Sequence, residues 1–407
     1  MGQALAATPG LFTAGSEGHY MLTYPDRGIE FTVDRLRRER HELYCELSVA
    51  CGVVGARAID GVLSVGTFNV SSPTASQQRA KLLAERARAS GIDWATMLEE
   101  LRQQVLKAER TGEPSILLRT VPGLSTGADE IDVLGIIRPK HHTTIPFGDG
   151  GVCKSLLELR TLSELAADGE RVGLFDWELD QFIHRRRLEA INGPEMPDVR
   201  YVRCERPLIH EIDRLRRIVR QDKLTYAVLD SVGDGTAGAP ESAEAAMEYC
   251  RAVRQLGIGC SLVAHVTKAD NGDQRPFGST FWHNSARATW NLKLASTSPD
   301  GNTLHLAAFH RKSNLGRLRP PVGIRVDFDG DRVYFTRIDA TTIARWPTSC
   351  RCGSAFAASS GADPTPLLPS RASCSTTTSR RSIVSCGSTK TCSPRSLVVT
   401  ALRGSDL

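Results

Sequence analysis

A glycine-rich stretch between an apolar strand pattern and a helical pattern constrains the fold of this chain more than any other feature. Residues 143–159 read TTIPFGDGGVCKSLLEL, so a short apolar run enters a loop with three glycines and leaves through an apolar-periodic helix. Glycine allows positive φ and lets backbone approach a ligand closely. A helix N-terminus attracts anions. The stretch therefore predicts an anion-binding loop at a strand-to-helix junction of an α/β fold.

The loop comes close to the phosphate-binding pattern G-x-x-x-x-G-K-[ST], except that a cysteine, Cys153, replaces the second glycine. We expect Lys154 to reach the β- and γ-phosphates of ATP and the Ser155 hydroxyl to ligate Mg²⁺. The residues predicted to surround the nucleotide are Gly148, Asp149, Gly150, Gly151, Val152, Cys153, Lys154, Ser155 and Leu156. The alternative is a glycine-rich turn in an unrelated α/β protein.

Two residues break the rules of this element. If position 153 needs a positive φ, Cys153 costs about 1–2 kcal/mol relative to glycine, and its side chain would crowd the phosphates. Pro146 lies where a central strand is predicted, and proline removes one hydrogen bond from the sheet there. We therefore expect weakened nucleotide binding.

The chain divides by pattern into three parts. Alternating strands and two helices predict a small α+β domain over residues 1–120, with a linker over 113–140. Strands and helices then alternate over 121–340, which predicts a mainly parallel sheet covered by helices, and this region ends in antiparallel strands. Residues 341–407 are rich in serine and threonine and lack periodicity, so we expect a disordered tail.

The tail also fits a shifted reading frame, a hypothesis that a periodic sequence in another frame of the gene would support. Cys350 and Cys352 form a close pair, but no histidine follows His310 and no second close pair occurs. Structural zinc needs four ligands, so a zinc site is disfavoured.

Composition sets limits on location and partners. No run of about 18 apolar residues occurs, so no membrane span is expected, and the N-terminus does not resemble a secretory signal. The expected location is cytoplasmic, and the odd total of 11 cysteines argues against a disulfide framework. Seven of the 51 basic and two of the 46 acidic residues lie in 350–407, so the rest is electrically balanced and bulk charge gives no argument for nucleic-acid binding.

Five segments taken together resemble a known family. In chain order they are FGDGGVCKSLLEL, VGLFDWELD, YAVLDS, LVAHVTK and FHRKSNLG. They are similar to the RecA-like hexameric helicases of the RepA/DnaB type, a group of AAA family ATPases, over roughly residues 125–340. The resemblance implies a RecA-like P-loop NTPase core, ATP and Mg²⁺ as ligands, a homo-hexameric ring, single-stranded DNA as partner and a role in plasmid or phage replication.

The resemblance also implies roles for individual residues. Glu178 would activate the attacking water, Asp230 would orient Mg²⁺, and His265 would sense the γ-phosphate. Arg311 and Lys312 would reach a neighbouring subunit's nucleotide. The plainer alternatives are a surface acid for Glu178, a helix cap or turn residue for Asp230, a core histidine for His265, and a solvated basic pair for Arg311 and Lys312.

The polar stretch 267–280 corresponds to loops that touch DNA in that family, with Lys268 and Arg275 as candidate phosphate contacts, and a mobile surface loop is the alternative. Arg287 would serve the subunit interface. Two rival functions stay open. One is a catalytically inactive nucleotide-binding or assembly protein of the same fold, and the other is a non-motor P-loop enzyme such as a small-molecule kinase.

Overall fold

The computed structural model describes residues 9–15, 18–112, 115–123, 127–266, 275–276 and 278–340. Three expectations lie outside this part of the chain: the disordered tail, the Cys350 and Cys352 pair, and the contact by Lys268. No helix in the described part is long and apolar enough to cross a membrane.

The N-terminal module consists of one antiparallel sheet and two helices. Its strands follow one another in sheet order, and helices α1 and α2 share one apolar cluster with them. Alternation along β4 buries Leu43, Leu47 and Val49 in that cluster. The elements are β1 Leu11–Ala14, β2 Tyr20–Tyr24, β3 Ile29–Glu39, β4 Glu42–Cys51, β5 Val62–Asn69, α1 Pro73–Ala87 and α2 Trp94–Thr111.

The two helices are capped in different ways. Asp93 caps α2 by accepting the N–H of Thr96 at 3.0 Å. Helix α1 ends at Ala87, because Arg88 adopts the left-handed conformation and donates its N–H to the carbonyl of Ala84.

The second part of the chain is built on a large mixed sheet. Its order is β10-β9-β11-β12-β8-β14-β15-β16-β17, with β13 paired to β8 and a separate hairpin formed by β6 and β7. The strands are β6 Glu130–Val133, β7 Ile136–Pro139, β8 Thr143–Gly148, β9 Val172–Asp176, β10 Val199–Arg203, β11 Tyr226–Asp230, β12 Gly259–Leu262, β13 Ala264–His265, β14 Ala288–Thr297, β15 Thr303–Ser313, β16 Val322–Asp329 and β17 Arg332–Ile338.

From β10 to β14 in this order the strands pair in parallel, and β15, β16 and β17 continue the sheet in antiparallel order. Strand β11 illustrates how both faces are buried, because Ala227 and Leu229 join one apolar cluster while Tyr226 and Val228 join another. The helices are α3 Lys154–Ala167, α4 Gln181–Asn192, α5 Leu208–Asp222, α6 Val232–Gly235, α7 Ala243–Arg254 and α8 Thr280–Ser285. This architecture confirms the predicted α/β fold class: a mainly parallel sheet flanked by helices, antiparallel C-terminal strands and a small α+β N-terminal part.

The sequence does not predict several elements, among them helix α4 and the β6–β7 hairpin. Helix α4 was not predicted, because it buries only His184 and Ile191 and so has almost no apolar face to recognise. The predicted linker over 113–140 was too long, since the β6–β7 hairpin lies within it and contributes Ile131 and Ile136 to the core.

Pro146 sits inside the sheet after all. It pairs with Trp290 of β14 on one side. On the other side, the pairing of β8 stops after Thr144 with β12 and resumes at Phe147 with β13. The interruption therefore spans the residue that has no N–H to donate, so the sheet accommodates the proline by splitting the neighbouring strand in two.

A fully buried ion pair fixes the β6–β7 hairpin to the helix that follows the glycine loop. Arg138 of β7 donates to Glu158 of α3 at 2.6 Å, and both side chains are completely buried. Arg138 also donates to the carbonyl of Ile136 at 3.1 Å. Removing one partner would leave an uncompensated charge in the core.

We expect Arg138→Met to lower the free energy of unfolding by about 3–5 kcal/mol, because it leaves Glu158 buried and unpaired. The double variant Arg138→Met with Glu158→Leu should recover most of that loss. Urea denaturation measures both. The control is Arg160→Met, which removes a partly exposed pair with Glu164 on the same helix and should cost at most about 1 kcal/mol. Equal losses for Arg138→Met and the control would contradict the expectation.

Candidate functional site

The glycine loop joins the end of β8 to the start of α3, as predicted. A Cβ atom on Gly148 would lie 2.3 Å from the carbonyl oxygen of Leu292 on β14, so only glycine fits at the end of the strand. Gly151 has a φ of +77°, and a Cβ atom on Gly150 or Gly151 would meet no atom of the described residues within 4 Å. The loop therefore turns sharply and leaves open space beside its backbone.

Cys153 occupies the last loop position with φ 54° and ψ 27°, in the left-handed region. A residue other than glycine costs about 1–2 kcal/mol there. Its sulfur lies 3.9 Å from the Gly151 carbonyl oxygen, and burial raises the pKa of the thiol. No side chain in the described part of the chain caps α3, so its first N–H groups stay available to an anion.

Lys154 is folded back onto the loop. It is 7% exposed, and its ammonium donates to the carbonyls of Gly148 at 3.0 Å and Asp149 at 2.8 Å. Burial lowers the pKa of this ammonium, whereas nearby carboxylates, led by Asp230, act in the opposite direction. The lysine is thus a buried cation bonded to two neutral oxygens, which a phosphate could replace as partners.

Two buried acids end adjacent parallel strands beside this lysine. Asp230 of β11 is directly paired with Asp176 of β9. Burial raises the pKa of Asp230 to about 6, the Ser155 hydroxyl opposes this shift by its hydrogen bond, and Glu178 and Asp176 add to it. One carboxylate oxygen of Asp230 is buried without a hydrogen-bond partner among the described residues.

Asp176 holds the turn that carries Glu178. Its carboxylate accepts the backbone N–H groups of Glu178 at 3.2 Å and Leu179 at 3.1 Å, and the hydroxyl of Tyr201 at 3.1 Å. The ring of His184 lies 3.4 Å from the same carboxylate. This fully buried acid therefore sets the position of Glu178, which is itself exposed to the cleft.

These groups line one cleft of about 1080 Å³, which we call the site cleft. The structure brings together ten of the predicted residues there: Gly150, Gly151, Val152, Cys153, Lys154, Ser155, Leu156, Glu178, Asp230 and His265. Gly148 and Asp149 do not line it, and they contribute their carbonyls to Lys154.

Sequence reasoning missed three arginines in the lining of the site cleft, which we call the basic wall. They are Arg186 and Arg187 of α4 and Arg332 of the β16–β17 hairpin. Arg332 donates to the Ala190 carbonyl at 3.2 Å and so ties the hairpin to α4. The charge of Arg187 acts on Cys153, and one of its terminal nitrogens is buried without a partner among the described residues. The run of three arginines at 185–187 was the signal that could have revealed this wall.

Arg311 and Lys312 lie on β15 and do not line the site cleft of their own chain. Lys312 donates to the carbonyls of His283 at 2.8 Å and Asn284 at 2.7 Å, and Arg311 stacks on Phe309 with its guanidinium 5.0 Å from the ring centre. Arg275 is exposed. No group of three or more His, Cys, Asp or Glu that could hold a metal occurs in the described ranges.

The fold and the site define an α/β protein with a phosphate-loop-like turn beside two buried acids at the ends of neighbouring strands.

No family model matches this chain, and no curated protein matches it either. Among solved structures it is similar to the KaiC-like protein PH0186 from the hyperthermophilic archaeon Pyrococcus horikoshii OT3, at 14% identity and a TM-score of 0.39, over 49% of this chain and 90% of that one. It is also similar to a second solved structure, described as an ATPase domain, at 11% identity and a TM-score of 0.40, over 49% of this chain and 85% of that one. Structural similarity this low supports no conclusion about the activity of this chain.

Asp230→Asn should stabilise the protein without ligand. A folded-state pKa of about 6, against about 3.9 in the unfolded chain, means that stability is lost as pH rises from about 4 through about 6. Above pH 7 the variant should therefore be more stable by about 3 kcal/mol, and near pH 4 the difference should vanish. Urea denaturation across this range, without Mg²⁺ or nucleotide, measures it.

The matched control is Asp327→Asn. Burial alone would raise the pKa of Asp327, but hydrogen bonds from Thr303 and Arg325 outweigh it and lower the pKa. This variant should therefore lose stability at neutral pH, the opposite sign. If Asp230→Asn is no more stable than the parent at pH 7, burial does not raise the pKa of Asp230 as expected.

Proposed function

We propose that the chain binds Mg-ATP in the site cleft and hydrolyses it as a motor on single-stranded DNA. The convergence of the loop, Lys154, Asp230 and Glu178 in one cleft carries this proposal. We further propose a division into an N-terminal domain over 1–120, an ATPase domain over 121–340 and a tail over 341–407, and a cytoplasmic location.

Backbone N–H groups and the ammonium of Lys154 both bind the triphosphate. The amides of the loop and of the first turn of α3 donate to phosphate oxygens. The ammonium of Lys154 exchanges its two carbonyl partners for the β- and γ-phosphates. The stronger, charge-assisted bonds to phosphate drive that exchange.

Ser155 and Asp230 suit a magnesium ion. The Asp230 carboxylate has a buried oxygen without a partner among the described residues, and the Ser155 hydroxyl lies against it. Mg²⁺ typically takes one or two protein oxygens together with substrate phosphates and water. When bound, the ion would neutralise charge that develops on the β- and γ-phosphates.

Glu178 orients the attacking water and takes up its proton as ATP is cleaved to ADP and phosphate. Asp176 keeps its turn in place. Arg187 supplies positive charge to the phosphates from within the same chain. Arg311 and Lys312 act on a neighbouring subunit's nucleotide, and Arg287 serves the subunit interface. His265 reports the state of the γ-phosphate to DNA-contacting residues, including Arg275.

The DNA partner, the homo-hexameric ring and the role in plasmid or phage replication are supported by the resemblance of the five segments. The main rival is a nucleotide-binding or assembly protein without turnover. The left-handed conformation of Cys153 favours this rival, because its side chain occupies the loop where a glycine would leave room for phosphate.

Cys153→Gly should bind ATP more tightly than the parent chain, because removing the side chain opens the loop to the phosphates. The strain of about 1–2 kcal/mol at Cys153 is present with and without ATP, so it cancels from the binding free energy and should instead appear as a higher free energy of unfolding for Cys153→Gly. We expect a gain in affinity of roughly tenfold, or about 1.4 kcal/mol. Titration with a fluorescent ATP analogue measures the two dissociation constants, with Cys250→Gly as a remote control. Equal, tight binding by parent and Cys153→Gly would refute the idea that Cys153 impairs the loop.

ATP turnover separates the motor from its rival. In the Cys153→Gly background we expect hydrolysis that single-stranded DNA stimulates, and Glu178→Gln should reduce the rate by roughly 100-fold or more while leaving ATP affinity intact. Steady-state phosphate release with and without DNA measures this. Tight ATP binding without turnover, even with DNA, would favour the assembly protein.

A further inference from the structure

The same pentapeptide occurs at two distant places in the chain. The sequence Asp-Arg-Leu-Arg-Arg spans residues 34–38 in strand β3 of the N-terminal module and residues 213–217 in helix α5 of the large sheet's helical layer. The two copies contact each other in the fold, although they adopt different secondary structures.

The contact is reciprocal. The first arginine of the strand copy, Arg35, pairs with Asp213 of the helix copy at 2.8 Å. The aspartate of the strand copy, Asp34, pairs with Arg217 of the helix copy at 3.4 Å. Arg220, one turn further along α5, also pairs with Asp34 at 3.2 Å. Each copy thus offers an acid and a base to the other.

Glu46 on the neighbouring strand β4 completes the cluster, which we call the ionic latch. It lies 3.3 Å from Arg35 and 4.0 Å from Arg217. Burial alone would raise the pKa of Asp34, but His19 and Arg220 outweigh it and hold that pKa below its ordinary value. Asp34 is therefore ionised across the physiological range, and the latch is charged.

A backbone irregularity aims Arg35 at its partner. The pairing of β3 with β4 shifts register between Asp34 and Arg37, so an extra residue bulges from β3. Arg35 itself has a φ of 54°, in the left-handed region. Bulges redirect side chains out of the regular alternation, and this one turns an arginine from the edge of the hairpin toward α5.

Apolar packing does not reinforce this contact in the described ranges. The apolar cluster of the N-terminal module contains residues of that module alone, and the clusters of the large sheet contain none of them. No backbone hydrogen bond between described residues joins 9–112 to 127–340 either. Ion pairs at partly exposed sites are weak individually and sensitive to salt.

We propose that the ionic latch docks the N-terminal module onto α5 and releases it as an intact body when the charges are screened. The module keeps its own core and the site cleft keeps its geometry in the released state. The latch lets the chain change the placement of one folded part relative to the other without unfolding either. It does not depend on ATP binding or hydrolysis.

Small-angle scattering on the full chain tests this. Between about 0.1 M and about 1 M NaCl the Debye length falls from about 10 Å to about 3 Å, so the radius of gyration should rise over that range. Arg35→Asp places a negative charge against Asp213 and should shift the rise to lower salt. Adding Asp213→Arg restores an opposite-charge pair and should shift it back. Aspartate tolerates the left-handed conformation at position 35, and arginine is a good helix former at position 213.

Arg325→Asp is the matched control, because it reverses an exposed arginine paired with Asp327 on β16, away from the latch. Its scattering should follow the parent at every salt concentration. Far-UV circular dichroism should show all variants equally folded, and unfolding of Arg35→Asp instead of release would overturn the proposal. A radius of gyration that ignores both salt and the charge reversal, or a control that shifts as far as Arg35→Asp, would also overturn it.

Discussion

The turn from strand β8 into helix α3 is the constraint on which the rest of the site depends. Gly148 passes so close to Leu292 of the neighbouring strand that any side chain would collide with its carbonyl. The chain then reverses through positive φ at Gly151 and Cys153 and enters the helix directly at Lys154. This path directs the start of α3 at the edge where strands β9 and β11 end, so the positive end of a helix faces two buried acids.

Three buried ionisable side chains meet at that edge of the sheet. Lys154, Asp176 and Asp230 are all buried, and Asp230 has a pKa of about 6 because burial and the neighbouring acids disfavour its charge. Lys154 donates to the backbone carbonyls of Gly148 and Asp149. A cation beside Asp230 would compensate the buried charge of its carboxylate. A phosphate beside Lys154 would give the ammonium an anionic partner. Functional sites often carry such locally unfavourable arrangements, which the remaining structure stabilises.

The sequence predicts the order of the core elements because strand and helix periodicities are strong there, and the glycine loop marks the site. It does not predict α4, whose exposed faces leave little apolar pattern, and it therefore misses Arg186 and Arg187 on the basic wall. The sequence does not reveal the role of Asp176 either. Its partners Tyr201, on β10, and His184, on α4, come from other elements and approach it only in the folded chain. From the sequence, Pro146 is incompatible with a central strand. The sequence does not show that the neighbouring strand is split into β12 and β13 beside the proline, which removes the need for its missing N–H.

Hydrogen exchange at the loop amides tests the central claim most directly, because the claim concerns backbone N–H groups and not only side chains. Adding Mg-ATP to the full chain should slow exchange at Gly150 through Leu156, and adenosine, which lacks phosphates, should not. Lys154→Ala should abolish most of that protection. Binding of ATP that leaves these amides unprotected, or that protects a different part of the chain, would contradict the assignment of this loop as the phosphate site.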